Sequence, residues 1–156
     1  MAIQRLSSED FAVFQNPGYR SEQIVWPRNA PDAQVTITRV TMEAGAVSGK
    51  HSHPRSEQTW LVEKGTAMLL MDGGKSLKIT TGDVVRTPAG EIHGVENVGD
   101  EPFVYLAITT PPQDFTRAYR EELTKIHDWE GIGTCANRLP PSQPLAAVRR
   151  RRIGAE

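Results

Sequence analysis

The chain has 156 residues, of which 38% are hydrophobic and 24% are charged, and its formal net charge is −1. This size suits one domain with its own core, and the composition is that of a globular protein rather than a disordered, fibrous or membrane-spanning one. No apolar run approaches the ~20 residues that cross a bilayer, the first ten residues lack the apolar centre of a signal peptide, and the single cysteine, Cys135, cannot form a disulfide within the chain. We therefore expect a cytoplasmic protein.

The first 33 residues (1–33) predict an irregular lead-in that contains short strands. Prolines and a glycine interrupt this stretch, which disfavours a long regular element. The run QIVW at 23–26 has the apolar and β-branched composition of a strand. We expect such strands to precede the main domain rather than to form a second one.

Residues 34–112 predict an all-β domain. Four runs in this range are rich in Val, Ile, Thr and aromatic residues and frequently alternate between apolar and polar positions, namely QVTITRVTM, TWLVEKGTAMLLM, SLKITTGDVVRT and PFVYLAITT. Turn-forming residues separate the runs, and Asp72-Gly73-Gly74 between two apolar runs is a strong hairpin signal. Many short strands at this spacing indicate a sandwich or a small barrel.

Residues 113–131 predict one C-terminal helix. Asp114 is suited to the N-cap position that precedes a first helical turn. Phe115, Tyr119 and Leu123 recur every four residues, which would place them on one apolar stripe. A glycine at the end of the range would terminate the helix.

Residues 132–156 predict a flexible basic tail. The stretch is rich in Pro and Ala and shows no sustained apolar period. From 136 to 156 it holds five arginines against one glutamate, and four of those arginines form the run Arg149–Arg152. Such a run can meet nucleic acid or an acidic partner, but a solvated tail is the preferred interpretation, because the rest of the chain shows no basic stripe.

Two histidines in the segment HSHPRSEQTW, residues 51–60, suggest part of a metal site. Side chains at i and i+2 lie on the same side of an extended strand, so His51 and His53 are expected to point the same way. The chain has only two further histidines, and one of them, His93, follows a Pro-x-Gly turn within GDVVRTPAGEIHGVEN at 82–97. The three histidines are therefore candidates for one site.

The spacing around these histidines resembles the paired motifs of the cupin superfamily. The later stretch reads G-x5-P-x-G-x2-H-x3-N from Gly82 to Asn97, and the earlier one reads G-x5-H-x-H from Gly45 to His53. A further glycine, Gly65, follows the next strand, and the 16 residues between it and Gly82 are similar to the short gap of a small single-domain cupin.

This resemblance implies a double-stranded β-helix, which is a jelly-roll barrel that often pairs into a homodimer. It also implies that His51, His53 and His93 bind one divalent metal ion. The fourth cupin ligand is normally a glutamate separated from the second histidine by three or four residues, and it is followed by six residues and a glycine. Here the sequence departs from the pattern, because Glu57 and Gln58 both fall at an allowed distance.

Two criteria favour Gln58 over Glu57 as the fourth ligand. Six residues separate Gln58 from Gly65, whereas Glu57 leaves seven. Successive side chains of a strand alternate between its faces, so an inward Glu57 would bring Glu63 into the barrel as well. Burying that unpaired carboxylate would cost several kcal/mol, which makes this register the poorer one.

A site of three neutral imidazoles and one neutral amide would leave the charge of a metal dication uncompensated. Such a site favours an anionic ligand, for example a carboxylate, an enolate or a metal-bound hydroxide. Nitrogen and oxygen ligands suit Mn, Fe, Co, Ni, Cu or Zn, and the sequence does not choose among these metals.

Four strand residues are further candidates for the pocket. Trp60 and Tyr105 could line it or simply pack in the core. Arg39 and Arg86 could bind a substrate carboxylate if they face the inside of the barrel, and would form ion pairs with neighbouring side chains if they face outward.

Two classes of function fit these residues. The first is a metal-dependent enzyme that acts on a small, oxygen-bearing and anionic molecule in the manner of a dioxygenase or a lyase. The second is a non-catalytic module that binds or senses a small ligand. No residue stands out as a general base. We expect a small-molecule ligand and a homodimer, and neither a membrane nor nucleic acid as a partner.

Overall fold

The structure, a computed structural model, describes residues 3–119 and the backbone of 121–123. Eleven β-strands lie in this part of the chain, and they are β1 (Ala12–Asn16), β2 (Tyr19–Val25), β3 (Thr36–Met42), β4 (Val47–His51), β5 (Glu57–Lys64), β6 (Thr66–Met71), β7 (Ser76–Thr80), β8 (Val84–Thr87), β9 (His93–Glu96), β10 (Phe103–Thr110) and β11 (Glu121–Leu123). Three short 3-10 helices accompany them, at Ser8–Asp10, Asp72–Gly74 and Thr116–Ala118.

The strands form two antiparallel sheets. The large sheet has the order β11-β1-β2-β3-β10-β5-β8, and the small sheet has the order β4-β9-β6-β7. Neighbours in both sheets include strands that are distant in sequence, such as β3 with β10 and β4 with β9. This is the architecture of a double-stranded β-helix, so the predicted all-β jelly-roll fold is confirmed.

One shared core lies between the sheets, and two strands of the large sheet, β3 and β10, alternate strictly between it and the outer surface. In β3 and β10 every second residue is buried, and the residues between them are only half-buried. Val40, Trp60 and Tyr105 from the large sheet pack in one cluster with Leu69 and Val95 from the small sheet. The alternation predicted from sequence is thus the alternation that separates the interior from the outer surface.

The predicted hairpin at Asp72–Gly74 joins β6 to β7. The two strands pair from Thr66 with Thr80 to Leu70 with Ser76. Gly73 and Gly74 have φ angles of 64° and 74°, which non-glycine residues rarely adopt. The turn therefore depends on the two glycines that signalled it.

The N-terminal lead-in extends the large sheet. β1 and β2 form a hairpin, and β2 pairs with β3 from Tyr19 opposite Met42 to Val25 opposite Ile37. The predicted strand QIVW overlaps the end of β2, and the tryptophan that follows, Trp26, is buried. The division of the chain into a lead-in at 1–33 and a barrel at 34–112 stays a prediction.

The predicted C-terminal helix at 113–131 is wrong where the structure describes it. Residues 116–118 form only one 3-10 turn, and Glu121–Leu123 form strand β11, paired with β1. Apolar residues four positions apart share a face in a helix, but they also share a face in a strand, so the spacing did not discriminate between the two. A strand here satisfies the backbone groups along the edge of β1. The remainder of that prediction and the predicted basic tail at 132–156 lie outside the described residues.

Across the described residues, no helix has the length and apolarity that a membrane crossing requires.

Candidate metal centre

Three histidines converge at one end of the small sheet. His51 ends β4 and lies directly opposite His93, the first residue of β9, while His53 lies two residues beyond β4. The ring centroids are 4.6 Å apart for His51 and His93, 5.0 Å for His51 and His53, and 5.2 Å for His53 and His93. Nitrogen atoms from all three rings lie within 4.8 Å of one another, so the group could hold one metal ion.

Backbone carbonyls orient two of the rings. His51 Nδ1 lies 2.9 Å from the Gly49 carbonyl oxygen, and His93 Nδ1 lies 3.0 Å from the Glu91 carbonyl oxygen. A carbonyl only accepts hydrogen bonds, so each Nδ1 carries the proton and each Nε2 keeps its lone pair. In metal-binding histidines the ring nitrogen that faces away from the metal normally donates a hydrogen bond in this way.

At the histidine cluster, two buried nitrogen atoms have no hydrogen-bond partner among the described residues, and a metal ion would provide a partner. His53 Nε2 and His93 Nε2 are both shielded from solvent and make no hydrogen bond. An unsatisfied buried polar atom is costly, and it calls for an explanation such as an ion. The donor atoms present therefore fit a divalent metal of the imidazole-binding kind.

The protonation of the site also suits metal binding. Burial, assisted by the neighbouring His51 and His93, lowers the pKa of His53 to about 4, with the Gln113 and Gln58 side chains acting in the opposite direction. Burial also lowers the pKa of His93. Both imidazoles are consequently neutral near pH 7, and the neutral form is the one that coordinates metals.

The structure places Gln58, and not Glu57, beside the histidines. Gln58 is buried and lines the same pocket as His51 and His53. Glu57 lies on the opposite face of β5, where Arg86 Nη2 donates to its Oε2 at 2.6 Å. The one-residue difference in position therefore decides which of the two side chains can reach the site.

A hydrogen-bond chain holds the Gln58 amide in one orientation. Trp60 Nε1 donates to Gln58 Oε1 at 3.0 Å, and Gln58 Nε2 donates to Thr109 Oγ1 at 2.9 Å. The indole N–H is only a donor, so the amide atom that it meets must be the oxygen. The second lone pair of that oxygen remains for a metal ion.

His51 and His53 open into a pocket of about 370 Å³ inside the barrel. Trp60 and Tyr105, two of the sequence-predicted pocket residues, line it. None of the described residues that line it is Asp, Glu, Lys or Arg. The described wall of the pocket thus contains no carboxylate, ammonium or guanidinium group.

Arg39 and Arg86 lie outside the pocket. The structure therefore contradicts the first interpretation, in which these arginines face inward and bind a substrate carboxylate. Arg39 Nε donates to Glu63 Oε2 at 2.9 Å, and its Nη1 lies 3.4 Å from Glu22 Oε2. Arg86 is paired with Glu57. Both arginines alternate along their strands with buried residues, which directs their side chains outward, as the second interpretation of the sequence allowed.

No sequence motif indicated the segment that closes the pocket, residues 111–119, here called the C-terminal strap. Thr36 Oγ1 donates to the Gln113 carbonyl at 2.8 Å and accepts from the Gln113 amide N–H at 2.9 Å. Near the other end of the strap, Asn16 Nδ2 donates to the Ala118 carbonyl at 3.0 Å. These contacts fix a segment without sustained regular structure across the barrel.

The strap contributes four residues to the pocket wall that sequence reasoning missed, one of which is Ala118. Gln113, Phe115 and Tyr119 all line the pocket, and the Phe115 ring packs edge-on against His53 with centroids 5.7 Å apart. The sequence shows only the apolar spacing of Phe115 and Tyr119, which predicts a helix and not a pocket wall. Long-range contact with Thr36 and Asn16 decides their position, and a local pattern carries no signal for it.

Gly94 lets the two histidine-bearing strands approach closely. A Cβ atom at this position would lie 2.8 Å from the Ser48 carbonyl oxygen and 3.1 Å from the backbone of Gly49. Any side chain here would push β4 away from β9, and the register of His51 with His93 depends on that pairing. Gly94 follows His93 directly, yet the motif did not single it out.

Comparison with known proteins gives matches to one family. Residues 38–109 match the family model of the cupin domain. The chain is 37% identical over 73 residues to an oxalate decarboxylase of Bacillus subtilis, and 31% identical over 72 residues to an oxalate-binding protein of Thermotoga maritima. These matches cover 44% and 46% of this chain, and they span only 19% and 59% of the length of those relatives.

Solved structures show the same architecture. A protein of Thermotoga maritima described as a predicted oxalate decarboxylase superimposes with a TM-score of 0.60 at 19% sequence identity, covering 69% of this chain and 99% of that chain. An ectoine synthase from P. lautus superimposes with a TM-score of 0.61 at 13% identity, covering 76% of this chain and 83% of that chain. At these identities the likeness concerns the fold alone.

Proposed function

We propose that the protein holds one divalent metal ion at its three clustered histidines and Gln58. The match of residues 38–109 to the cupin domain supports this site. We further propose that the ion binds a small anionic molecule through oxygen atoms. The observation that carries the proposal is the cluster of three imidazoles, two of which line the same pocket as the buried Gln58 amide, with no Asp, Glu, Lys or Arg among the described lining residues.

Electrostatics selects the class of ligand. A dication held by neutral imidazoles and a neutral amide keeps its full charge, and the described pocket wall supplies no carboxylate to offset it. A ligand that brings negative charge therefore gains more here than at a site with a glutamate ligand. Two of the three curated relatives carry oxalate in their names, which supports a small carboxylate as the chelating group of the ligand.

The protein side chains would hold, orient and shield the ligand. His51 and His93 present Nε2 because their Nδ1 protons are committed to backbone carbonyls. Trp60 keeps the oxygen of Gln58 in place, and Phe115 covers the site from the strap. When bound, the metal would supply Lewis-acid chemistry or, if it is iron, copper or manganese, chemistry with dioxygen.

Apart from the histidines assigned to the metal, no described lining residue is a good general base at neutral pH. Burial raises the pKa of the Tyr105 hydroxyl well above its usual value, and burial raises the pKa of Tyr119 to about 12, so both phenols keep their protons. An enzyme built on this pocket must rely on the metal centre or on the ligand for proton transfer. Dioxygenase-like or lyase-like reactions meet that condition, and we propose this type of activity.

A second candidate function is binding without catalysis. The observation that favours it is the same lack of an acid or base among the described lining residues other than the metal-site histidines, since a binding module needs none. The name of the Thermotoga relative, an oxalate-binding protein, describes such a function for that protein. In this case the metal would serve only to capture the ligand.

Metal analysis followed by ligand and oxygen assays tests the proposal. The purified protein is loaded separately with Mn, Fe, Co, Ni, Cu and Zn, and the metal content per chain is measured. We expect one ion per chain for at least one metal, and then oxygen consumption or product formation with small carboxylates or diketones if the protein is an enzyme. Ligand binding without turnover across the panel would favour the binding module, and a chain that retains none of the six metals would exclude both.

We also propose that the chain forms a homodimer, as its resemblance to cupins implies. Leu61 on β5 and Val84 on the edge strand β8 are paired neighbours on the outer face of the large sheet, with 38% and 65% of their surface exposed. Exposed apolar neighbours of this kind are common at interfaces. Light scattering coupled to size-exclusion chromatography tests the dimer directly.

A further inference from the structure

We propose that the ligand is an acid with a ring-sized apolar body, and that this body lies against Trp60 and Tyr105 while the acid group binds at the metal centre. The inference rests on the proposed metal site, and it concerns the part of the ligand that the metal does not hold.

The pocket continues well beyond the metal centre. On the inner face of the large sheet Gln58 pairs with Thr109, Trp60 pairs with Ala107, and Tyr105 lies one pair further along β10. From Thr109 to Tyr105 is four residues, which corresponds to roughly 13 Å along a strand. Gln58, Trp60, Ala107 and Tyr105 all line the pocket, so the space follows the strand over this distance. A two-carbon acid such as oxalate would occupy only the end next to the histidines.

The volume leads to the same conclusion. The pocket of about 370 Å³ is roughly twelve times the ~30 Å³ that one water molecule occupies in the liquid. It lies within the range of about 300–1,000 Å³ that is usual for sites of organic ligands. Two carboxylate groups joined by one bond would leave most of it unfilled.

The walls of the deeper part favour an apolar group over a second charge. The Trp60 and Tyr105 rings pack together with centroids 4.7 Å apart, and Val40, paired with Tyr105, continues the same wall. A carboxylate at this depth would meet no described lysine or arginine in the lining, and its desolvation would be uncompensated. A ring or a branched aliphatic group incurs no such penalty and gains from burial.

A matched pair of acids tests the inference. Lactate and 3-phenyllactate share one 2-hydroxycarboxylate group and one charge, and they differ by a phenyl ring. The protein is loaded with Co²⁺, and each acid is titrated while the visible absorption of the metal is recorded. We expect 3-phenyllactate to bind about 10-fold more tightly than lactate, because the ring leaves water for an apolar wall.

Two leucine substitutions assign that preference to the wall. Tyr105→Leu removes a ring that lines the pocket, whereas Phe103→Leu removes the neighbouring buried ring, 5.5 Å away on the same face of β10, which does not line it. We expect the preference for 3-phenyllactate to fall at least threefold in Tyr105→Leu and to stay unchanged in Phe103→Leu. Phe115→Leu, on the strap, provides a second wall variant if Tyr105→Leu does not fold.

The possible results are distinguishable. Equal affinity for the two acids in a Co²⁺-loaded protein, or tighter binding of lactate than of 3-phenyllactate, would overturn the inference and leave the proposed metal site standing. The same loss of preference in Tyr105→Leu and Phe103→Leu would also overturn it, because the effect would then come from the core and not from the wall. A protein that binds no Co²⁺ and none of the other metals would overturn the inference together with the proposed function.

Discussion

The two faces of strand β5 differ in chemistry although their residues alternate along one chain segment. On the inner face Gln58 and Trp60 are buried and joined by a hydrogen bond within the pocket. On the outer face Glu57 is paired with Arg86 of the adjacent strand β8, and Glu63 is paired with Arg39 of β3, which lies beyond β10. Every carboxylate of this strand is therefore outside the barrel, and the one amide is inside.

This difference explains why the described wall of the pocket contains no Asp, Glu, Lys or Arg, although 24% of the chain is charged. A carboxylate inside would have to lose its hydration, whereas one outside keeps most of it and finds an arginine across the strands. The same arginines, Arg39 and Arg86, are thereby drawn away from any ligand in the pocket. An ion bound among the histidines would then dominate the field that a ligand experiences.

The largest expected effect is the loss of metal binding when histidines inside the barrel are replaced. We expect His51→Ala combined with His93→Ala to reduce metal content to background, because two of the three imidazoles are removed. The effect should exceed the roughly 10–100-fold loss of affinity that follows removal of a residue in the outer shell of a metal site. Metal analysis of the purified variant measures it, and metal content equal to that of the wild type would show that the inner face is not a metal site.

The next effect separates the two adjacent residues of β5. We expect Gln58→Ala to weaken metal binding by at least the roughly tenfold that loss of an outer-shell residue causes, while Glu57→Ala changes it less than about threefold, since only Gln58 lies beside the histidines. Competition with a chelating dye gives both affinities. A larger loss in Glu57→Ala than in Gln58→Ala would mean that the register of β5 is one residue away from the one described.

A smaller effect tests the hydrogen bond that orients Gln58. Trp60→Phe keeps an aromatic ring in the pocket wall but removes the N–H that donates to Gln58 Oε1. We expect a loss in metal affinity of up to about tenfold, at the lower end of the outer-shell range, and a stability cost of about 1 kcal/mol for the lost hydrogen bond.

Trp26→Phe is the matched control for that variant. Trp26 is also buried, but it packs edge-on against Phe14 and does not line the pocket. We expect its substitution to reduce stability in a urea titration without changing metal affinity. If both variants weakened metal binding to the same degree, the role of Trp60 would be one of packing and not of orienting the amide.

The sequence was informative where the two-residue alternation of a strand was combined with the high cost of burying a charge. Alternation in the strands and the cost of burying Glu63 are enough to place Gln58 inward, and Glu63 indeed lies outside, paired with Arg39. The three histidines likewise followed from spacing in the two motifs. The same alternation, applied to Arg39 and Arg86, would have placed them outside as well, since each lies between residues of the buried face.

The sequence was not informative where distant contacts decide the outcome. Phe115 and Tyr119 are four residues apart, a spacing that serves a helix and a strand equally well. Their position in the pocket depends on the contacts of the strap with Thr36 and Asn16, which lie far away in the chain. Gly94 is a similar case, because only the close approach of β4 reveals why a side chain cannot be accommodated there.

The smallest expected effect concerns the outer face, and it sharpens the contrast with Gln58. Arg86 and Glu57 form an ion pair at 2.6 Å, but the Arg86 side chain is 62% exposed. A pair this open to solvent contributes about 0–1 kcal/mol, since water screens the attraction and two side chains must be ordered. We therefore expect Arg86→Ala to lower the free energy of unfolding by at most that amount, and to leave metal content and ligand affinity unchanged.

A double-mutant cycle with Glu57→Ala isolates the energy of this pair. Urea titrations of the two single variants and the double variant should give a coupling energy below about 1 kcal/mol, and it should shrink in high salt because added ions screen exposed charges. A coupling that persists in high salt, or a loss of metal in Arg86→Ala, would mean that the outer charges act on the inner site. The two faces of β5 would then have to be treated as one electrostatic unit, because a charge change on one side of the strand would be felt at the histidines on the other.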